Sequence, residues 1–412
     1  MAVFFLVVTP LVWSLPMSLM VAELTTLLPE EGGYYVWVRE AMGRFWAVQE
    51  GVWTISAGIA LLAMFPVLFV SYLAYFFPTL AATSGGLPAF LRWLLASLVT
   101  VTAMAVNLRG SRQVGTSAKL GGTIVLGAFA TLVAAWTLWG PSTASTFAII
   151  RQDWAVPKSG ALLLGISYAV FNYSGWDNCS TYAEEVDQPQ RNYPLAIGIA
   201  LVVMALIYLA SVVAGTSVTT DPKLWSAEAG WPAVAQVLGG KWLGALLAVG
   251  GLVSTWGLFN AQLLYVSRLP FVMARDGWLP QVLAKISPDT AVPKLAVICF
   301  CVLTVIFAAL SFGSLALIQC LTYAGALTLE FLALIILRIK RPDAPRAFRV
   351  PGSWIGMAYV CITPLAFATL LVYATLRDWH SFPGQMLVVA ATVLAGIVLY
   401  CAKRNAASSA KG

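Results

Sequence analysis

The run Asn172-Tyr173-Ser174-Gly175-Trp176-Asp177-Asn178 places a carboxylate, carboxamides, hydroxyls and a glycine directly after an apolar stretch that ends at Phe171. These residue types suit binding better than bond-making. A helix interrupted at glycine exposes free amides on one half and free carbonyls on the other, so it can hold a carboxylate and an ammonium at once. An amino acid carries both. Within a membrane, such breaks are tolerated where they are buried in protein or line a water-filled cavity, and transporters place solute sites at them. Asp177 is the sharpest of these residues. An intramembrane carboxylate costs roughly 2.5–3.5 kcal/mol on insertion scales, and it pairs with something or marks a solute or proton path. Two roles are open to it: capping the second half-helix through backbone amides, or meeting a solute amine or a proton.

Further candidates surround this break. Phe171 and Trp176 can close over a solute or serve as packing and interface anchors. Asn172, Gly175 and Asn178 belong to the interrupted turn itself. Ser254, Thr255, Asn260 and Gln262 offer hydrogen bonds to a solute or to a neighbouring helix. Glu23, Glu50 and Glu330 fall toward span ends, where a carboxylate can pair with a loop arginine and hold helices together, or carry a proton or ion. His380 stands near Arg377 and Asp378 in a connection, and a single histidine makes no metal site.

The elements that must position these residues are membrane helices. Of 412 residues, 60% are hydrophobic and 10% charged, against about 25% charged in a soluble domain. The apolar residues come in blocks of roughly 20, the length that crosses about 30 Å of hydrocarbon. Turn and breaker residues separate spans near 2–27, 51–77, 88–107, 118–139, 158–183, 193–216, 242–268, 293–311, 314–337, 353–376 and 384–402. The reading is an all-α, polytopic chain of about eleven spans forming one integral membrane domain, residues 1–412. Of the 24 Lys and Arg, 18 fall on one set of alternating connections, which places that set and the C-terminus in the cytoplasm. Eleven spans then put Met1 outside. One further span ahead of it would bring both ends to the same side.

The composition also excludes classes. The net charge of +7 is scattered over short loops, which argues against a nucleic-acid partner. The six cysteines match no disulfide framework or zinc site. No metal-ligand set, nucleophile pattern or phosphate loop suggests an enzyme or a cofactor. The opening apolar run has no basic lead or small-residue cleavage site, so it reads as a span and not a secretory signal. Short termini without organelle signals suit a bacterial inner membrane or a plasma membrane.

Several motifs carry a likeness. PLVWSLP at 10–16, PEEGGYYVWVREAMG at 29–43, QEG at 49–51, FPVLF at 65–69, WDNCSTYAEEVDQPQRNYP at 176–194, ARDGWLP at 274–280, LEF at 329–331 and RPDAPRAFRVPG at 341–352 resemble the amino acid, polyamine and organocation superfamily of secondary transporters. The resemblance runs nearly end to end and is strongest to the polyamine-permease branch. It implies an inverted five-helix-repeat fold of twelve spans, of which the first here looks like the family's second, and solute transport by alternating access. The alternative is a truncated relic or a solute-sensing membrane protein that moves nothing. By position the resemblance makes Phe171 an aromatic gate, Gly175 to Asn178 the unwound turn, and Gln262 a polar contact from the partner helix. Two departures matter. Leu61 stands where the polyamine branch has an aspartate, so an amino acid or monoamine is as good an expectation as a polyamine. Past Lys119, the span 118–139 lacks the mid-span lysine of some proton-coupled relatives, leaving H+ or Na+ open as coupling ion. The oligomeric state stays open too.

Overall fold

In the computed structural model the described residues are 8–81, 86–141, 169, 171–219, 221–225, 230–377, 380 and 382–409, without the side chains of 182–185, 222, 374 and 406–409. Among them there is no β-strand. The solvent is the reason. Apolar blocks in lipid must satisfy every backbone N–H and C=O internally, and a helix does so within one segment.

The helices in chain order are α1 Pro10–Leu27, α2 Gly33–Met42, α3 Arg44–Leu73, α4 Gly86–Asn107, α5 Ser111–Trp139, α6 Pro189–Val218, α7 Gly230–Val266, α8 Arg268–Arg275, α9 Lys294–Phe307, α10 Phe312–Lys340, α11 Ser353–Arg377 and α12 Pro383–Ser409. Nine of the helical stretches among the described residues are long and apolar enough to span a membrane. The chain is an integral membrane protein. Helix ends obey local chemistry. Gly43 (φ 87°) and Gly110 (φ 112°) start α3 and α5, Ser311 caps α10 by accepting from the Ser314 amide, and Pro383 opens α12 where no N–H is needed.

Several spans differ from expectation: α5 begins at Ser111, seven residues before the expected 118, α7 at Gly230, ahead of the expected 242 and across a non-helical Gly240 (φ 75°), and the span expected at 293–311 is the shorter Lys294–Phe307. Helix α3 begins at Arg44, seven residues before the expected start, so Glu50 lies two turns inside it. Of the span expected at 158–183, residues 158–168 lie outside the described ones. Beyond Phe171 and Asn172 the helix breaks, and the chain then winds into a 3-10 helix, Asn178–Glu185, where an α-helical half was expected. Its sequence explains the tighter winding: Thr181 Oγ1 donates to the Asn178 carbonyl at 2.9 Å, three residues back, a local bond that competes with α-helical pairing.

Helices α1, α3 and α10 are the inner ones, with 72% of their apolar windows buried, whereas α6 and α12 bury 11%. Helix α10 packs along α3 and α2, and α7 along α5 and α3. Gly58 permits one of these approaches, since a Cβ there would come within 2.9 Å of Val266 Cγ1 on α7. The outer face of α6 is apolar in register, with Leu195, Ile199, Val202 and Leu206 all exposed. Their spacing of three and four residues marks one stripe turned to lipid.

Candidate functional site

The chain leaves helical geometry where the polar run begins. Gly175 has φ +96°, a conformation glycine adopts without the Cβ penalty of other residues. Its amide donates to the Tyr323 hydroxyl of α10 at 3.2 Å, in place of a carbonyl of its own segment. Helix α1 holds the turn from the other side: Trp13 Nε1 donates to Ser174 Oγ at 3.1 Å, and Ser14 Oγ to the Tyr173 carbonyl at 3.0 Å. A broken stretch that would be costly in lipid is thus paired by neighbouring helices.

A cavity of about 160 Å³ opens at this break, room for about five waters at liquid density. Phe171, Asn172, Gly175, Asn178 and Gln262 line it together, with Thr54, Leu61, Gln319 and Tyr323. The described lining residues include neither an acid nor a base. Phe171 meets Phe312 edge-on, with centroids 5.9 Å apart. Gln262 turns an unpartnered Oε1 inside the fold.

Two candidates stand behind the wall. Trp176 is tied down, its Nε1 donating to Ser14 Oγ at 3.1 Å and to the Tyr173 carbonyl at 3.0 Å. Asp177 is fully buried, and its Oδ1 accepts from the Tyr323 hydroxyl while Oδ2 has no hydrogen-bond partner among the described residues. Tyr323 therefore separates the carboxylate from the cavity while touching both. The Ser180 amide donates to the Asp177 carbonyl at 2.9 Å. Of the polar set on α7, Asn260 accepts from Asn107 Nδ2 at 3.0 Å and bridges helices, and Thr255 bonds back to the Gly251 carbonyl at 2.8 Å. Gln262 is the member that reaches the cavity.

The three glutamates divide. Glu23 meets the expectation of structural pairing: Arg338 donates to both of its oxygens, from Nε at 2.7 Å and from Nη2, Arg346 Nε lies 3.2 Å away, and the Val350 amide donates at 2.7 Å. Glu50 and Glu330 depart from it. Both are fully buried, and among the described residues neither forms an ion pair. Glu50 Oε1 accepts from Thr54 Oγ1 at 2.6 Å, while among the described residues Glu50 Oε2 and both oxygens of Glu330 have no hydrogen-bond partner. The reason is facial. Their depth would let an arginine reach them, but α3 and α10 turn these positions inward, away from the loops.

Arginines do gather at the loops themselves. Asp276 accepts from Arg39 Nη1 at 2.9 Å and from the Tyr35 hydroxyl at 2.8 Å, and Arg341 pairs with Glu40 at 2.7 Å. Burial, then the bond to Asp276, pushes the Tyr35 hydroxyl up, so it remains a donor at neutral pH.

Thr54, Gln319 and Tyr323 escaped the sequence reading. A signal existed for two of them: Gln319 and Tyr323 are four residues apart and so share one face of an otherwise apolar helix.

A family model described as amino acid permease matches residues 1–394. The chain is 30% identical to the polyamine transporter RMV1 of Arabidopsis thaliana over 405 residues, covering 95% of this chain and 76% of that one. It is 31% identical to the polyamine transporter PUT1 of Oryza sativa subsp. japonica over 386 residues, 92% and 68% of the two chains. To the large neutral amino acids transporter small subunit 2 of Homo sapiens it is 26% identical over 402 residues, 93% and 70%.

Proposed function

We propose, on the premise that the chain belongs to the amino acid permease family and is a membrane transporter, that it moves a small amino acid with an apolar side chain by alternating access. The observation that carries this reading is the uncharged lining of the cavity at Gly175. A zwitterion brings its own compensating charges and needs hydrogen bonds, not a counter-ion. Asn172, Asn178, Gln262, Gln319 and Tyr323 supply these, and Leu61, Phe65, Phe171 and Met204 supply an apolar wall. A cavity of this size is on the scale of a single amino acid such as leucine. Phe171 closes over it, and the segment carrying the break rocks against α3, α7 and α10. The basic loops and the C-terminus face the cytoplasm of a bacterial inner membrane or plasma membrane.

A polyamine is the second reading, favoured by the relatives named as polyamine transporters. In that case a rotation of Tyr323 brings Asp177 to the cavity as the counter-ion. Uptake into proteoliposomes holding the full chain separates the two. Labelled leucine taken up and chased by excess unlabelled leucine, with little effect of putrescine, supports the amino acid. Putrescine uptake abolished by Asp177→Asn supports the polyamine, and no uptake of either, in protein that inserts normally, defeats both.

A further inference from the structure

We propose that the basic-loop side of the molecule carries a seat for the headgroup of an anionic phospholipid, built by Arg44, Lys403 and Arg404 beside an aromatic ledge of Trp46, Trp278 and Tyr400.

The ledge forms where three elements meet. Helix α3 starts and α12 ends at the same level, and the loop after α8 closes against α12. The Tyr400 ring stacks on Trp278, with centroids 5.5 Å and planes 22° apart, and it meets Phe45 edge-on at 5.1 Å. Trp46 stands edge-on to Phe45, also at 5.1 Å, and is 41% exposed. Tryptophan and tyrosine settle at the headgroup level of a bilayer, because their rings are apolar and their N–H or O–H is polar. The ledge therefore marks headgroup depth. One turn and more toward the middle of the membrane, Val398 and Leu394 of α12 are 64% and 60% exposed. They lie four residues apart on one stripe, which gives an acyl chain its wall.

The charges gather at this ledge. Arg44 directly precedes Phe45. Lys403 and Arg404 follow Tyr400 by three and four residues, on the helix face that Tyr400 occupies and about 5 Å further toward the loops. All three cations are exposed. Other cations at this end are answered by acids: Arg39 by Asp276, Arg341 by Glu40, and Arg268 and Arg275 by Glu31. Among the described residues, Arg44, Lys403 and Arg404 form no ion pair or hydrogen bond, and the indoles of Trp46 and Trp278 and the Tyr400 hydroxyl donate to no acceptor. Three cations and three neutral donors thus share one patch, while Glu40 and Asp276 on the neighbouring elements are already engaged.

A phosphodiester headgroup complements this patch. It brings ionised oxygens at the depth the aromatic rings set, on chains that match the apolar stripe of α12. A free phosphate ion has the charge without the chains. The turn between α4 and α5 shows what the patch adds to charge alone: Arg109, Arg112 and Lys119 are exposed as well, but the segment 108–120 contains neither Trp nor Tyr. A headgroup seated on the ledge also braces the loop at Trp278, two residues past the Asp276 that holds Arg39 and Tyr35 of α2.

The test titrates the full chain in detergent with phosphatidylglycerol, phosphatidylcholine and inorganic phosphate, reading retained lipid by native mass spectrometry and the unfolding temperature in parallel. Phosphatidylglycerol should be retained at least tenfold more tightly than phosphatidylcholine, and high salt should shrink that preference. Removing Arg44, Lys403 and Arg404 together as Arg44→Gln, Lys403→Gln and Arg404→Gln should bring the two lipids within about twofold, since each cation near an anionic lipid surface is worth about fivefold. Lys403→Gln alone, at an exposed site, repeats the test at about fivefold should the triple variant not fold. Arg112→Gln with Lys119→Gln should leave the preference as it was. Equal retention of the two lipids, a preference kept by the Gln variants at the ledge or lost equally in the α5 pair, or stabilisation by inorganic phosphate as large as that by phosphatidylglycerol overturns the proposal.

Discussion

Glu23 and Glu330 are both fully buried carboxylates in contact with the same inner bundle, yet their surroundings are opposite. Glu23 sits among two guanidiniums and a backbone amide; Glu330 has no hydrogen-bond partner for either oxygen among the described residues. The first is a rivet between α1, α10 and the loop at Val350, in which charge and donors match. The second has no cationic partner among the described residues, and neither does Glu50. A buried pair stabilises only while both partners are present, and losing one strands the other. An unpaired buried acid costs stability as it stands, and a fold retains such a group where it has a use beyond stability.

The largest expected effect comes from breaking the rivet. Arg338→Met strands Glu23 and should destabilise the protein by about 3–5 kcal/mol, read as a fall in detergent unfolding temperature and loss of monodisperse material. Glu330→Gln should leave that temperature unchanged or raise it. Equal falls in both variants would erase the distinction. Tyr323→Phe comes next. It removes the donor to Asp177 and the acceptor of the Gly175 amide, at about 1–3 kcal/mol, and should weaken leucine binding about tenfold in calorimetry; unchanged binding would detach Asp177 from the cavity.

Gly175→Ala addresses the break itself. With φ at +96° and an added Cβ 3.1 Å from Asn178 Nδ2, the left-handed backbone alone costs roughly 1–2 kcal/mol, so uptake should drop by about the corresponding factor of 5–30 while insertion is preserved. The smallest effect is one of preference. Leu61→Asp places a carboxylate on the cavity wall and should move the ratio of putrescine to leucine uptake toward putrescine by about tenfold, or 1.4 kcal/mol. A ratio that stays put would mean Leu61 does not meet the solute.

Sequence alone exposed the break because Asn172 to Asn178 interrupts apolar character over a whole turn, and a segment-sized signal survives without knowledge of neighbours. The membrane class was legible for the same reason. By residue type and place in the span nothing separated Gln262 from Asn260, which turns to Asn107 instead; the family resemblance alone singled out Gln262. The pairing of Gln319 and Tyr323 on one helix face could have drawn notice to Tyr323, but its contact with Asp177 spans 146 residues and no local pattern encodes that. Glu50 and Glu330 were read by depth along a helix, which determines distance to the loops but not the face presented. The 3-10 winding of Asn178–Glu185 was missed because apolar periodicity does not register hydroxyls bonding back to their own chain.

Helix α6 sets a condition of another kind. Its 30 residues rise about 45 Å, some 15 Å beyond the hydrocarbon thickness, so it crosses obliquely or emerges from the bilayer. Its first turn is fastened to the segment after Asp177, the Tyr193 hydroxyl donating to the Cys179 carbonyl at 2.6 Å. The thickness of the surrounding lipid therefore bears, through this phenol and that of Tyr208, which donates to the Asn172 carbonyl at 3.4 Å, on the strip of backbone that carries the break.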